Sequence, residues 1–215
     1  MAFRAGTTAL DKSSSTDGER YLVQAREIYA SLPDPAPRKI GLSDFYLGKI
    51  SFAKRSYRRS AEYLSSALGY FDADDEQARS SRLITMGLLV QALESVGKSE
   101  EATQYCVAIG KERPLTPNQE YLPVFRMAPE YPSSMLASGR EGFVDIEFTV
   151  DESGFVRDPT VMLSLVDGKR RSRIGSFDKA ALDAVMRFRY APRFEDGEAV
   201  VAEGVTTRIS FMLED

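Results

Sequence analysis

The sequence contains no histidine and no tryptophan, and only one cysteine, Cys106. Without histidine, Ser-His-Asp and Cys-His nucleophile systems are excluded in their usual forms. Zinc sites built on histidine, such as H-E-x-x-H, are excluded with them. A lone cysteine leaves no internal disulfide and no thiolate metal cluster. Cys106 lies in an apolar helical pattern and reads as a packing residue. A basic excess is also missing: the formal net charge is −4, which argues against binding to nucleic-acid phosphates. No run approaches the roughly 18 apolar residues that span a bilayer; the most apolar segment, LITMGLLVQAL, falls well short and is helical in period. The opening MAFRAGTTALDKSSST lacks the apolar core of an export signal, so a soluble chain is expected, compatible with prior removal of such a signal. No Gly-rich phosphate cradle appears, and no cofactor or metal is expected.

What is present falls into two grammars. The hydrophobic fraction, 43% of 215 residues, is enough for a real core. Residues 1–16 are small and polar and read as a disordered tail. Residues 17–114 read as helices. DGERYLVQAREIYASLP places Tyr21, Ala25, Ile28 and Tyr29 near helical spacing and stops at Pro33. LSDFYLGKISFAKR is read with Ser43 as its cap, and YRRSAEYLSSALGYF carries Leu64, Ala67, Leu68 and Phe71 on one face. A further pair turns around Gly97. Leu47, Gly48, Tyr57, Ser60, Leu64 and Ala67, then Leu89, Gly97, Ala102, Cys106, Ile109 and Pro114, alternate small and large as in tetratricopeptide (TPR) repeats. The array therefore resembles TPR repeats, with a generic helical bundle as the alternative.

Residues 115–121 read as a stiff linker with prolines on and around it, and 122–215 as a second domain. EGFVDIEFTV alternates, with Val144, Ile146, Phe148 and Val150 on one side. DESG supplies a hairpin turn with Gly154 at a position of positive φ. The return strand, FVRDPTVMLSL, breaks parity: Val156 and Val161 should both point inward yet lie an odd number of residues apart. An extra residue at Asp158-Pro159 repairs this, so an irregularity is predicted there. VDGKRRSRIG reads as a basic loop. SFDKAALDAVMRF reads as a helix capped by Ser176, with Phe177, Ala181, Ala184, Val185 and Phe188 facing the core. An arm with an Asp196-Gly197 turn follows, and Val205, Thr207, Ile209, Phe211 and Leu213 alternate to the end. The fold class is therefore α+β: an N-terminal all-α array, then a small β-β-α-β domain with a three-stranded antiparallel sheet and one covering helix.

The second domain resembles the C-terminal domain of the TonB family. The matching residues are Ala128-Pro129-Glu130-Tyr131-Pro132, Gly142, FTVDESGFV, Phe177-Asp178-x-Ala180-Ala181, Phe188-x-Tyr190-x-Pro192, Asp196-Gly197 and Gly204-Val205. The resemblance runs from about Leu122 to Leu213. It implies a periplasmic protein of Gram-negative bacteria and a protein-interaction role, not an enzyme. Its partners would be a segment of an outer-membrane transporter or an inner-membrane transducer complex. The family's usual mode adds the partner segment as a strand at the sheet edge. The last strand is the natural edge, with Thr206, Arg208 and Ser210 as contact candidates. Many members carry Gln near the entry elbow at a transporter contact; here the corresponding region is Met127-Ala128, followed by Tyr131, and all three are candidates. The alternative reading is a self-associating envelope scaffold whose edges pair in a homodimer.

Other clusters carry less. Ser176-x-x-Lys179 has the spacing of a Ser-Lys nucleophile pair but sits where a cap and first turn belong. Asp72 to Glu76 lacks the Gly and terminal Glu of a calcium loop. Arg55 to Arg59 and Lys169 to Arg173 read as solvated basic surface.

Overall fold

The computed structural model describes residues 15–72, 75–114, 119–171 and 173–213. Most of the segment read as a tail, residues 115–118 of the linker, Ala73 and Asp74 of the acidic stretch and Ser172 of the basic loop lie outside the described residues. The chain divides into two compact units, Met1–Tyr105 and Cys106–Asp215. The division falls inside a helix, α5 (Ser99–Glu112), and not in the proline-containing linker. Contact at the end of that helix explains why: a methyl group at Gly110 would stand 2.3 Å from the Pro192 carbonyl oxygen, which belongs to the same unit.

The first unit holds α1 (Ser15–Ser31), α2 (Pro37–Ala53), α3 (Tyr57–Leu68) and α4 (Glu76–Ser95). Each packs on the next. Leu22, Leu47 and Ile50 form one buried cluster; Phe45, Leu64, Ala67, Phe71 and Leu89 form another. Small residues bring α2 and α3 together. A Cβ at Gly48 would lie 2.6 Å from Leu64 Cγ, and Ser60 Oγ donates to the Gly48 carbonyl at 2.9 Å. The spacing of small residues noted in the sequence thus has a steric cause. Ser43 is not a cap. The helix starts at Pro37, whose fixed φ suits a first turn, and Ser43 Oγ donates back to the Lys39 carbonyl at 2.9 Å, as a mid-helix serine does. The next residue, Asp44, is fully buried. It accepts from Arg26 Nε at 2.6 Å and from Ser66 Oγ at 2.7 Å, which satisfies the carboxylate and ties α1, α2 and α3 together.

The second unit is α+β. After α6 (Ser133–Ala137) come β1 (Gly142–Val150), β2 (Val156–Val166), β3 (Lys169–Arg170), α7 (Ser176–Val185), β4 (Arg193–Glu195), β5 (Glu198–Val200) and β6 (Ala202–Phe211). The main sheet runs β3-β2-β1-β6, and β4-β5 make a separate ribbon. The sheet therefore has four strands where the sequence predicted three. The extra strand arises at Asp167-Gly168, with φ of 49° and 73°. Two consecutive positive φ values are those of a tight hairpin turn, so the front of the basic loop folds back as β3. The helix α7 begins at Ser176, with Gly175 as the flanking residue. Asp178 Oδ2 accepts from the Gly175 N–H at 2.5 Å; the capping side chain is thus Asp178 and not Ser176.

The sheet core is built as the alternation predicts. Val144, Ile146, Phe148 and Val150 of β1, Phe177, Ala181, Ala184 and Val185 of α7, and Ile209 and Phe211 of β6 are buried together. Phe177 and Phe211 stack at 4.3 Å. The predicted irregularity is present: Glu147 pairs with Thr160 and Thr149 with Arg157, leaving Asp158-Pro159 opposite one residue of β1. Asp158 has φ 49°, the kink such a bulge requires. A second shift, not foreseen, falls where Asp145 pairs with Leu163 and Ile146 with Val161. It places Met162 out in solvent and turns Ser164, not a leucine, into the buried position. Gly154 closes the β1–β2 turn with φ 81°, and a Cβ there would meet the Tyr190 carbonyl oxygen at 2.0 Å.

Candidate protein-interaction edge

The strand β6 pairs with β1 on one side; among the described residues its other side carries no strand. Which residues address that open side follows from the ladder. The Asp167 N–H donates to the Glu141 carbonyl at 2.9 Å, so odd-numbered positions at the start of β1 address β2 and even-numbered ones address β6. Val144 pairs with Ile209 and Ile146 with Thr207. Thr207 and Ile209 therefore turn their backbone groups inward, and Thr206, Arg208 and Ser210 turn theirs outward, by the alternation of an antiparallel strand. An independent contact agrees: the Arg208 carbonyl takes a hydrogen bond from outside the sheet, from Arg126 Nη2 at 3.0 Å.

The Arg208 side chain is committed to its own sheet face. It holds Asp145 through two bonds of 2.7 and 2.8 Å, and its guanidinium lies 3.8 Å from the Phe143 ring centroid. The hydrogen bond to Asp145 is the main reason its pKa is held above the ordinary arginine value. Of the predicted contact residues, Thr206 and Arg208 line a groove of about 1040 Å³ beside β6. The facing wall includes Tyr121, Leu122 and Arg126. Ser210 is exposed and lies on the same edge.

The elbow residues lie elsewhere. Met127 and Ala128 line a separate cleft against α7, and Met127 packs half-buried on the sheet core. The Tyr131 ring makes edge contacts with Phe177 and Phe211, each at 5.6 Å, and its hydroxyl donates to the Arg140 carbonyl. Tyr131 thus anchors the elbow to the end of β6. The structure brings Thr206 and Arg208 together and leaves Met127 and Ala128 on another side.

Arg126, which the sequence reading passed over, connects the entry segment to the edge. Its backbone is positioned by an isolated bridge. Val124 and Phe125 N–H groups donate to the Arg189 carbonyl at 2.7 and 3.1 Å, and the Arg189 N–H returns to Phe125 at 3.0 Å. Tyr121 fixes the same segment further upstream. Its ring meets Tyr190 at 4.9 Å and its hydroxyl donates to the Ala191 carbonyl at 2.7 Å. Burial raises the pKa of Tyr121 and pushes that of Tyr190 up to about 12, so both rings remain neutral wedges at ordinary pH. The only sequence signal for Arg126 is a cation directly before Met127, which no periodicity distinguishes.

These features define a small α+β domain in which, among the described residues, β6 forms one edge of the main sheet. Residues 127–213 match the family model of the Gram-negative bacterial TonB protein C-terminal. Among solved structures, the solution NMR structure of the Pseudomonas aeruginosa TonB C-terminal domain is 25% identical, with a TM-score of 0.36. The match covers 46% of this chain and 92% of that one. A comparison with curated proteins finds no match. Among the described residues, no helix is long and apolar enough to cross a membrane.

Proposed function

We propose that this protein is a periplasmic interaction module of a TonB-dependent transport system. The β6 edge accepts an extended segment of one partner, and the helical array docks another. The observation that carries this reading is the outward set of backbone groups at Thr206, Arg208 and Ser210 on a domain that matches the TonB C-terminal family model. Strand addition takes its affinity from backbone hydrogen bonds and its selectivity from alternate side chains. The partner is a segment of an outer-membrane transporter or a component of the inner-membrane transducer complex. The small-residue approach of α2 and α3 supports a repeat-type scaffold in the first unit.

Ser210→Pro tests the edge. It removes an outward N–H while leaving the inward ladder intact, so partner recovery from the envelope of the source cell should fall with the domain still folded. Unchanged recovery by a folded Ser210→Pro protein would sink the strand-addition reading. Loss of self-association without loss of any heterologous partner would favour the scaffold reading instead.

A further inference from the structure

We infer that Arg126 is a built-in guard of the β6 edge, a side chain that holds the place of a partner strand until one arrives. This rests on the edge reading above. Arg126 Nη2 donates to the outward Arg208 carbonyl at 3.0 Å, the position an added strand must fill with a backbone N–H. The guanidinium also lies 5.5 Å from the ring centroid of Phe188, a fully buried side chain. Its backbone is held by the bridge between Phe125 and Arg189. The guard is therefore fixed at its root, while its tip, held on Arg208 and beside Phe188, belongs to an exposed residue and can be displaced.

The contact is an intramolecular competitor. A solvent-exposed charged donor on a carbonyl is worth only a modest net amount, so it weakens casual edge pairing without forbidding a partner that offers several bonds at once. Charge adds to this, because a cation on an edge is a recognised defence against unwanted strand pairing. The geometry also constrains the incoming segment. Its residue opposite Arg208 must bring an N–H, so proline is rejected there. Arg208 itself adds little repulsion, because Asp145 and Phe143 already hold its guanidinium.

The probe is a second copy of the full chain, which carries the same edge. Sedimentation equilibrium on the wild type, Arg126→Ala, Arg126→Lys and Arg126→Ala with Ser210→Pro should order them. Arg126→Ala should self-associate roughly three- to tenfold more tightly than the wild type. Arg126→Lys, which keeps a flexible cationic donor group, should fall between, and adding Ser210→Pro should cancel the gain. Unchanged or weaker association of Arg126→Ala overturns the guard. So does a gain that survives Ser210→Pro, since it would come from another surface. A failed guard with Ser210→Pro still abolishing partner recovery leaves the edge reading standing; loss of both effects removes the two together.

Discussion

Two prolines placed one residue apart in β6 should have opposite consequences. Ile209 is fully buried and faces Val144 across the ladder, with its N–H turned to β1. Ile209→Pro removes that bond and forces a ring into the sheet, which costs about 3 kcal/mol or more. Lost burial of the isoleucine adds about 1–2 kcal/mol. The sum is a large part of the roughly 5–15 kcal/mol that holds a typical domain together. Ser210 is exposed and its N–H points outward, so Ser210→Pro gives up no ladder bond. Proline is tolerated in that setting on an edge strand, and the preceding residue is already extended, as proline requires. Its cost should stay below about 1 kcal/mol. Native-state hydrogen exchange of the β1 segment measures both. Exchange through global opening should accelerate by roughly a thousandfold in Ile209→Pro and by less than about tenfold in Ser210→Pro. Equal acceleration in the two variants would refute the assignment of outward and inward groups, and the edge argument with it.

Gly154→Ala should destabilise the second unit by about 1–3 kcal/mol, because φ is 81° and the added methyl would meet the Tyr190 carbonyl oxygen at 2.0 Å; thermal unfolding of that unit reads the loss. Burial pushes the Tyr190 hydroxyl up to about 12, above the unfolded value of about 10. The stability gained by keeping it neutral is therefore fully present below about pH 10 and is lost as pH rises towards 12. Tyr190→Phe should lose that alkaline sensitivity, seen as a flatter stability profile above pH 10. Asp44→Ala should cost the helical unit about 1–3 kcal/mol in denaturant unfolding, since it strips the bonds from Arg26 and Ser66 while leaving half-exposed Arg26 free to rehydrate.

Much of the second unit was legible because its signals are periodic. The alternation of Val144, Ile146, Phe148 and Val150 is the direct image of a half-buried strand, and all four are buried. The parity break between Val156 and Val161 located the bulge at Asp158-Pro159, since a strand cannot change face without an extra residue. The second bulge escaped because LSL reads equally well on either face; burial of Ser164 instead of Leu163 or Leu165 is a register outcome that no side-chain preference announces. The Asp167-Gly168 turn did carry a hairpin signal, masked by the arginines after it. Ser43 and Ser176 were misplaced as caps for a shared reason. A serine near the start of an apolar pattern looks alike whether it caps the helix, lies inside it or opens its first turn. Arg126 was illegible for a different reason: its partner is a backbone carbonyl 82 residues away, and backbone acceptors leave no mark in a sequence.

Under the proposed strand addition, the chemistry of β6 reconciles two demands that ordinarily conflict. A strand kept free for a partner is also free to pair with anything extended. Covering it with a permanent strand or helix would remove the hazard and the function together. A single guanidinium on the Arg208 carbonyl is a weaker solution. It occupies one outward acceptor, and among the described residues no strand pairs with the outward N–H groups of Arg208 and Ser210. A segment making one or two backbone bonds gains little by displacing it, whereas a segment matching the whole length from Thr206 to Ser210 gains several bonds for one lost. The guard therefore discriminates by the length and continuity of the added strand more than by its side chains. Stepwise shortening of a bound partner segment should accordingly cause a steep loss of affinity in the wild type and a shallower one in Arg126→Ala, and parallel loss in both would show that the guanidinium does not contribute to selection.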